Sequence, residues 1–238
     1  MSQFIALAQG DFRQIFRDRT LLIFLFVPFI LLAVVRSLVP YLTAQYPIVE
    51  NYHVLVMMLV GVQTSVIFGF IVAFLILEEK DEQVLQVIRV LPISPSYFIL
   101  YRVLFATIFS TVSAYIVIRF SGIAFPGEVN TALLAIQYGL VAPFIALLVA
   151  TFAANKVEGM AFFKGVNLFL LLPIVTFFIK GIWQYAFAVI PTFWTYSFYE
   201  KSVEAAAPNV VWYLSGLVVY ALAIVLVFLR FKGKVFDR

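Results

Sequence analysis

The chain has 238 residues, of which 64% are hydrophobic and only 12% are charged, and its mean hydropathy is +1.07. A soluble domain has roughly 25% charged residues, so this composition excludes a single soluble core and predicts an all-α polytopic membrane protein. The net charge is +4, and the absence of cysteine excludes disulfides, thiol catalysis and cysteine-based metal sites. The single histidine, His53, cannot form a metal site by itself.

The pattern of apolar and basic residues in positions 1–20 predicts an amphipathic helix that lies in the membrane interface. Apolar side chains form one helical stripe, and the arginines lie off this stripe or at its end. A signal peptide is the alternative, because basic residues precede an apolar run. No A-x-A-like cleavage site follows residues 21–35, which favours a retained helix. The stripe consists of Phe4, Ile5, Ala8, Phe12, Ile15 and Phe16.

Apolar runs predict six transmembrane spans in one domain over residues 1–238. The second span is uncharged throughout and is long enough to cross roughly 30 Å of hydrocarbon. Gly61, Ser65 and Gly69 lie four residues apart on it, and such a row of small residues predicts a close helix contact, within the subunit or across a dimer. The six spans are expected at about 21–36, 54–77, 97–118, 131–154, 165–180 and 210–230.

Polar side chains also occur within the second and fifth spans. They are Gln63, Thr64 and Ser65 in the second span and Asn167 in the fifth. Hydrogen bonds between helices are the usual role of such groups in a membrane, and we favour this role over contact with a substrate.

Residues 182–199 are uncharged and nearly long enough to cross the membrane, but they are rich in Trp and Tyr. Such amphipathic rings concentrate at membrane–water interfaces. We therefore predict a re-entrant segment that dips into the outer leaflet and breaks near Pro191, with its rings as an interfacial anchor and not as a ligand cage. The rings are Trp183, Tyr185, Trp194, Tyr196 and Tyr199.

The distribution of basic residues predicts the orientation of the chain. Of the sixteen Lys and Arg residues, only Arg36, Arg119, Lys180 and Lys201 fall on one side of the six-span topology. The positive-inside rule then places both termini and the polar residues after the second span in the cytoplasm. A seventh span at 182–199 would move the basic C-terminal tail outside, so this distribution also favours the re-entrant segment.

The largest polar stretch, residues 78–102, connects the second and third spans. Five charged residues begin it, and Val84, Val87, Ile88 and Leu91 then form one face of a short helix. Pro92 ends that helix, and Ser94 is a suitable N-cap for the next one. This pattern predicts a surface helix that docks a soluble partner. The alternative is a solvated loop that only ends a transmembrane helix.

With this topology, the chain resembles the permease subunits of type-2 ABC exporters (ABC-2 type). The resemblance is carried by LEEKDEQVLQVIRVLPISPSYFILYRVL, by the basic amphipathic helix before the first span and by the re-entrant segment before the sixth. In that family the second-to-third connection begins with acidic residues, ends in a Pro-Ile/Leu-Ser motif and docks on a separate ATPase. The glycine that is common after the acidic cluster is absent here. The matching residues are Glu79, Glu82, Leu85, Leu91, Pro92, Ile93 and Ser94.

The resemblance implies a cytoplasmic coupling helix and several partners. Expected partners are cytoplasmic ABC ATPase subunits, a second permease copy or a homologous permease, and membrane lipid, without nucleic acid. ATP and Mg would be bound by the ATPase, with no cofactor in this chain, and the location would be a prokaryotic plasma membrane. The residues expected to couple to the ATPase are Glu78, Glu79, Glu82, Val84, Leu85, Val87, Ile88, Leu91, Pro92 and Ser94.

Motifs and side chains that the sequence lacks argue against several classes of function. It has no G-x-x-x-x-G-K-[ST] phosphate loop, so energy must come from another subunit or from an ion gradient. The cores of the second, fourth, fifth and sixth spans carry no carboxylate or histidine, which argues against an ion-coupled carrier. We expect a non-enzymatic permease that exports an amphipathic or lipid-like substrate, such as a drug, peptide, lipid or glycan. The alternatives are a membrane scaffold or sensor that recruits a partner through residues 78–94, and a membrane enzyme, which the missing catalytic cluster disfavours.

Overall fold

The computed structural model describes residues 3–82, 95–205 and 208–235, and within them the chain forms eight α-helices, three short 3₁₀ helices and no strand. The 3₁₀ helices are Pro47–Tyr52, Leu172–Phe177 and Ile182–Phe187. The α-helices are α1 (Gln3–Arg17), α2 (Arg19–Gln45), α3 (His53–Asp81), α4 (Pro95–Phe120), α5 (Glu128–Phe152), α6 (Lys156–Leu171), α7 (Pro191–Glu204) and α8 (Val210–Val235).

Six helical segments in the described part of the chain are long and apolar enough to cross a membrane. This finding confirms the predicted all-α polytopic membrane fold. The segments are Arg19–Gln45, Pro47–Asp81, Ile99–Phe120, Glu128–Phe152, Lys156–Phe177 and Val210–Lys234.

Two helices extend well beyond the predicted limits of their spans. α2 continues to Gln45 through residues expected to form a loop, and α6 begins at Lys156, inside an expected polar turn. Local caps explain where both helices begin: the Asp18 carboxylate accepts hydrogen bonds from two backbone amides at the start of α2, and Asn155 accepts one at the start of α6. Polar residues in these stretches mark where a helix leaves the apolar layer, and not where it ends.

α3 and α5 form the centre of the molecule. Most residues in the apolar stretch of α3 are buried inside the protein, whereas most of those in α8 are exposed. α4 lies against both central helices, and α2, α6 and α8 lie outside them. The central pair therefore supplies the rigid core, and the outer helices present apolar side chains to their surroundings.

The row of small residues on α3 lies against α5 of the same chain. A Cβ atom at Gly69 would come within 2.8 Å of the Ala142 carbonyl oxygen, and one at Gly61 within 2.6 Å of the Tyr138 ring. Ser65 is fully buried and donates a hydrogen bond to the Gly61 carbonyl. Any larger side chain here would hold the two backbones apart.

The aromatic segment before α8 divides into two parts with different surroundings. Trp183 in the third 3₁₀ helix is 77% exposed, whereas Tyr196 and Tyr199 in α7 are fully buried by the protein. The interpretation of all these rings as an interfacial anchor is therefore wrong for α7, whose tyrosines belong to the core. α7 has 14 residues, too few for a helix to cross the hydrocarbon layer, which takes about 20.

Candidate functional site

The C-terminal end of α3 brings together the charged groups that the sequence singles out. We call Glu78, Glu79, Lys80, Asp81 and Glu82 the acidic end of α3. α4, α5 and α6 contact it through side chains or helix ends, and α1 is joined to it through Arg102 of α4. The charged side chains lie where α3 leaves the apolar layer, so partial burial strengthens their electrostatic contacts.

The most buried part of this site is a cluster of one arginine and two carboxylates. Nη2 of Arg102 in α4 lies 2.8 Å from Oδ1 of Asp11 in α1 and 2.6 Å from Oε1 of Glu79. Arg102 is only 2% exposed. These contacts join α1, α3 and α4 at one point.

The charges of this cluster do not balance, because one guanidinium faces two carboxylates. Burial raises the pKa of the Asp11 carboxyl, although the neighbouring Arg102 acts in the opposite direction. Burial therefore favours the neutral form of Asp11 more than water would. One carboxylate is sufficient to neutralise Arg102. We therefore expect that either Asp11 or Glu79, but not both, can be replaced by a neutral side chain at low cost in stability.

Lys80 connects the acidic end to α5. Its Nζ donates hydrogen bonds to the carbonyl oxygens of Ala150 and Ala153, at the C-terminal end of α5. The last carbonyls of a helix lack partners within the helix and attract cations. Lys80 therefore caps α5 and fixes its end against α3.

Glu78 and Asp81 connect the acidic end to the start of α6. A carboxylate oxygen of Glu78 lies 3.0 Å from Nζ of Lys156, and Oδ2 of Asp81 accepts a hydrogen bond of 3.3 Å from the Lys156 backbone amide. Carboxylates are favourable at a helix N-terminus, where backbone amides lack partners. The end of α3 is thus joined to four other helices by charged groups.

A polar cleft of about 570 Å³ lies between α1 and the acidic end of α3. Its walls carry arginines from α1 and carboxylates from α3, so it offers both signs of charge to a polar partner. The lining residues are Gly10, Arg13, Gln14, Arg17, Asp18, Glu78, Glu79 and Glu82.

Comparison with known proteins gives the family of this chain. The family model described as fluoroquinolones export permease protein Rv2686c-like matches residues 11–229. The chain belongs to this family. It is also 30% identical over 240 residues to the fluoroquinolones export permease proteins MT2760 and Rv2686c, from two strains of Mycobacterium tuberculosis. The alignments cover 96% of this chain and 94% of each relative.

Family membership makes the chain a multi-pass transmembrane protein of an export permease family. The descriptions of the family and of the relatives name neither an ATPase nor the ABC-2 type. Residues 11–229 include Asp11, Glu79 and Arg102, so the whole buried cluster lies within the part of the chain that matches the family.

The structure describes only part of the coupling motif expected in this permease. Glu78, Glu79 and Glu82 lie at the acidic end of α3, and Glu82 is exposed. Glu79, expected to face basic groups of a partner, points to Arg102 of its own chain instead, because the buried guanidinium requires a counter-charge. Val84, Leu85, Val87, Ile88, Leu91, Pro92 and Ser94 lie outside the described residues, and their coupling role stays a prediction.

Sequence reasoning missed Asp11 and the pairing of Arg102. Two signals were available. Asp11 falls between Ala8 and Ile15 on the apolar stripe of the first helix, where a carboxylate requires a buried partner, and Arg102 lies inside an otherwise apolar run of α4. Neither signal says which cation meets which carboxylate, since the two residues are 91 positions apart.

The polar groups within the spans make contacts inside the chain. Nε2 of Gln63 donates to Oδ1 of Asn167 over 3.4 Å, which joins α3 to α6. Thr64 and Ser65 donate to carbonyls one turn earlier in α3. The Gln63–Asn167 contact agrees with the interhelical role favoured above, whereas the bonds of Thr64 and Ser65 lie within α3. His53 contacts Thr43 over 2.8 Å and so connects α3 to α2. Within the described residues, no group of three or more metal-binding side chains occurs.

Proposed function

We propose that this chain is the permease subunit of an ATP-driven exporter of the ABC-2 type, energised by separate cytoplasmic ATPase subunits. The observation that supports this proposal is the acidic end of α3. The segment expected to dock on the ATPase follows Glu82 directly in the chain, and the residues before it are joined by charged contacts to α1, α4, α5 and α6.

These contacts suggest how the ATPase would move the permease. Closure of the ATPase subunits around ATP would displace the docking helix and, with it, the end of α3. Glu79 would pass this displacement to Arg102 in α4, and Arg102 to Asp11 in α1. Lys80 and Glu78 would pass it to α5 and α6. A buried ionic cluster suits this task, since separating its charges is costly and the helices therefore move together.

The substrate we propose is an amphipathic drug of the fluoroquinolone kind, the class named for the relatives. An amphipathic molecule enters a membrane through its apolar part, while its polar groups stay near the water. The cores of four spans without carboxylates or histidines fit passage of an amphipathic molecule better than passage of a strongly hydrated one. A second permease copy would complete the pathway, with the exposed apolar faces of α2 and α8 contacting lipid or that copy.

The first experiment tests the partner. The tagged permease is co-expressed with the ATPase subunit and purified in detergent. Leu91→Asp or Val87→Asp should abolish recovery of the ATPase, because a charge replaces an apolar anchor of the docking helix. Val157→Asp is the matched control: Val157 is 81% exposed near the start of α6, so the same charge there should leave recovery unchanged. Recovery of the ATPase with Leu91→Asp at the wild-type yield would contradict the proposal.

The second experiment tests transport. Cells that express the permease and the ATPase should accumulate less of a fluorescent fluoroquinolone than cells with a hydrolysis-deficient ATPase. An ATPase that binds the permease without any such difference, for this and other amphipathic probes, would favour the alternative of a non-transporting scaffold or sensor.

A further inference from the structure

A crevice separates the C-terminal ends of α5 and α8. Its volume is about 380 Å³, and it is lined by Phe152 from α5 and by Leu229, Arg230, Gly233 and Lys234 from α8. The lining combines two cations with two apolar side chains and contains no carboxylate. Gly233 carries no side chain, so the space between Arg230 and Lys234 stays open.

The two cations of this α5–α8 crevice repel each other. Arg230 and Lys234 are four residues apart on α8, a spacing that places them on one face of the helix. Neither forms an ion pair with another described residue. The Lys234 ammonium lies 5.6 Å from the centre of the Phe152 ring, beside the crevice. An anion between Arg230 and Lys234 would relieve this repulsion.

Helix capping does not account for these two cations. Lys80 already caps the C-terminal carbonyls of α5. A cation also interacts favourably with the C-terminus of α8, but Lys232 provides that interaction equally well without lining the crevice. The positive-inside rule favours basic residues at this end of α8, but it does not specify that two of them line one crevice.

The surface beside the crevice indicates the other half of the ligand. Leu229, Leu226 and Val225 are 59%, 67% and 53% exposed, so an apolar face of α8 continues from the crevice toward the centre of the span. An anionic head beside a long apolar surface is the outline of a phospholipid. Basic pockets between transmembrane helices are known to bind anionic lipid headgroups in this way.

We propose that the α5–α8 crevice binds the phosphate group of an anionic phospholipid. Arg230 donates two hydrogen bonds to the phosphate, Lys234 supplies a second positive charge, and the acyl chains lie along Leu229 and Leu226. The orientation predicted from the basic residues puts this site in the cytoplasmic leaflet. The inference does not depend on the proposed ATP-driven export.

The test is native mass spectrometry of the purified full-length protein in detergent. Dioleoyl phosphatidylglycerol should remain bound to the wild type more strongly than dioleoyl phosphatidylcholine. Each basic residue at an anionic membrane surface strengthens binding about fivefold, so Arg230→Gln together with Lys234→Gln should lower the affinity for phosphatidylglycerol about thirtyfold. Lys232→Gln removes the same charge outside the crevice and should lower the affinity much less than either change within the crevice. The exchange variant, Arg230→Lys with Lys234→Arg, keeps both positive charges and should retain most of the binding.

Three outcomes would overturn the proposal. The first is equal binding of phosphatidylglycerol by the wild type and the double variant. The second is an equal loss in Lys232→Gln, which would indicate a general effect of charge. The third is displacement of the lipid by millimolar inorganic phosphate, which would indicate a soluble anion as the ligand. If the double variant does not elute as a single species in size-exclusion chromatography, the single variants Arg230→Gln and Lys234→Gln decide, each with an expected loss of about fivefold.

Discussion

The two ends of the α3–α5 core are held together by different chemistry. At the acidic end of α3, charged side chains join five helices. Toward the opposite end, the buried contacts of α7 are made by neutral groups: Thr192 donates to the Leu170 carbonyl over 2.6 Å, Tyr199 donates to the Ala124 carbonyl over 3.0 Å, and Thr195 contacts the Tyr220 hydroxyl over 3.1 Å.

The difference follows from where each group lies. The acidic end lies at the C-terminal end of the α3 span, and α1 beside it is the predicted interfacial helix, so its charges can be buried by protein without being enclosed in hydrocarbon. The buried face of α7 packs against apolar helices, where a charge would be costly and a hydroxyl bonded to a helix carbonyl is not. Removing one partner of a buried ion pair leaves an uncompensated charge, whereas removing one neutral hydrogen bond has a small and local effect. A substitution of Arg102 at the charged end should therefore weaken the whole cluster, whereas a substitution at the neutral end should remove only the contact that it changes.

The largest expected effect is at Arg102. Arg102→Gln leaves Asp11 and Glu79 buried without a counter-charge, and loss of one partner of a buried pair costs about 3–5 kcal/mol. Asp11→Asn or Glu79→Gln alone leaves one carboxylate opposite one guanidinium, so either should cost no more than about 1 kcal/mol. Thermal unfolding of the purified variants in detergent measures these differences.

The double variant Asp11→Asn with Glu79→Gln completes this test. It leaves Arg102 buried without any carboxylate, and its loss of stability should again approach that of Arg102→Gln. Equal effects of all three single changes would contradict the view that the cluster carries one carboxylate more than it requires.

The next effect concerns close packing at the centre, away from both ends. A Cβ atom at Gly69 would meet the Ala142 carbonyl oxygen at 2.8 Å and Cβ of Ile145 at 2.9 Å, neither of which can move easily. Gly69→Ala should lower the free energy of unfolding by about 1–3 kcal/mol. Gly165 is the matched control, because it is also helical and nothing lies within 4 Å of an added Cβ atom. Gly165→Ala should be neutral or slightly stabilising. If both changes behave alike, the α3–α5 contact is looser than the structure indicates.

The sequence predicted the central features of the fold better than the contacts at its ends. The spacing of Gly61, Ser65 and Gly69 pointed to a close helix contact, because small residues in an otherwise bulky apolar run have few other uses. The charged residues at the end of α3 were evident from the sequence. The pairing of Asp11 with Arg102 was not predictable, since periodicity describes one helix at a time. The burial of α7 was also missed, because Tyr and Trp are suited both to a membrane interface and to a hydrogen-bonded core.

A smaller effect is expected at the neutral end. Tyr199→Phe removes one hydroxyl that donates to the Ala124 carbonyl and preserves the ring. The loss of stability should be about 0.5–1.5 kcal/mol. Tyr185→Phe is the control, since Tyr185 is 48% exposed and its ring contacts should be preserved. A loss as large as that of Arg102→Gln would show that α7 also depends on a coupled network, and the contrast between the two ends would no longer hold.

The smallest expected effect tests whether burial or charge alone makes the contacts at the acidic end strong. Lys180 and Glu200 of α7 form an ion pair of 2.5 Å, but their side chains are 55% and 25% exposed. An exposed pair exchanges contacts with water for a contact with its partner, and it contributes about 0–1 kcal/mol. Lys180→Met should therefore change the unfolding temperature very little, and 0.5 M salt should remove most of any difference, since the Debye length then falls to about 4 Å. The Arg102 cluster is buried and should respond much less to salt. If Lys180→Met costs as much as Arg102→Gln, charge alone and not burial would determine the strength of these contacts.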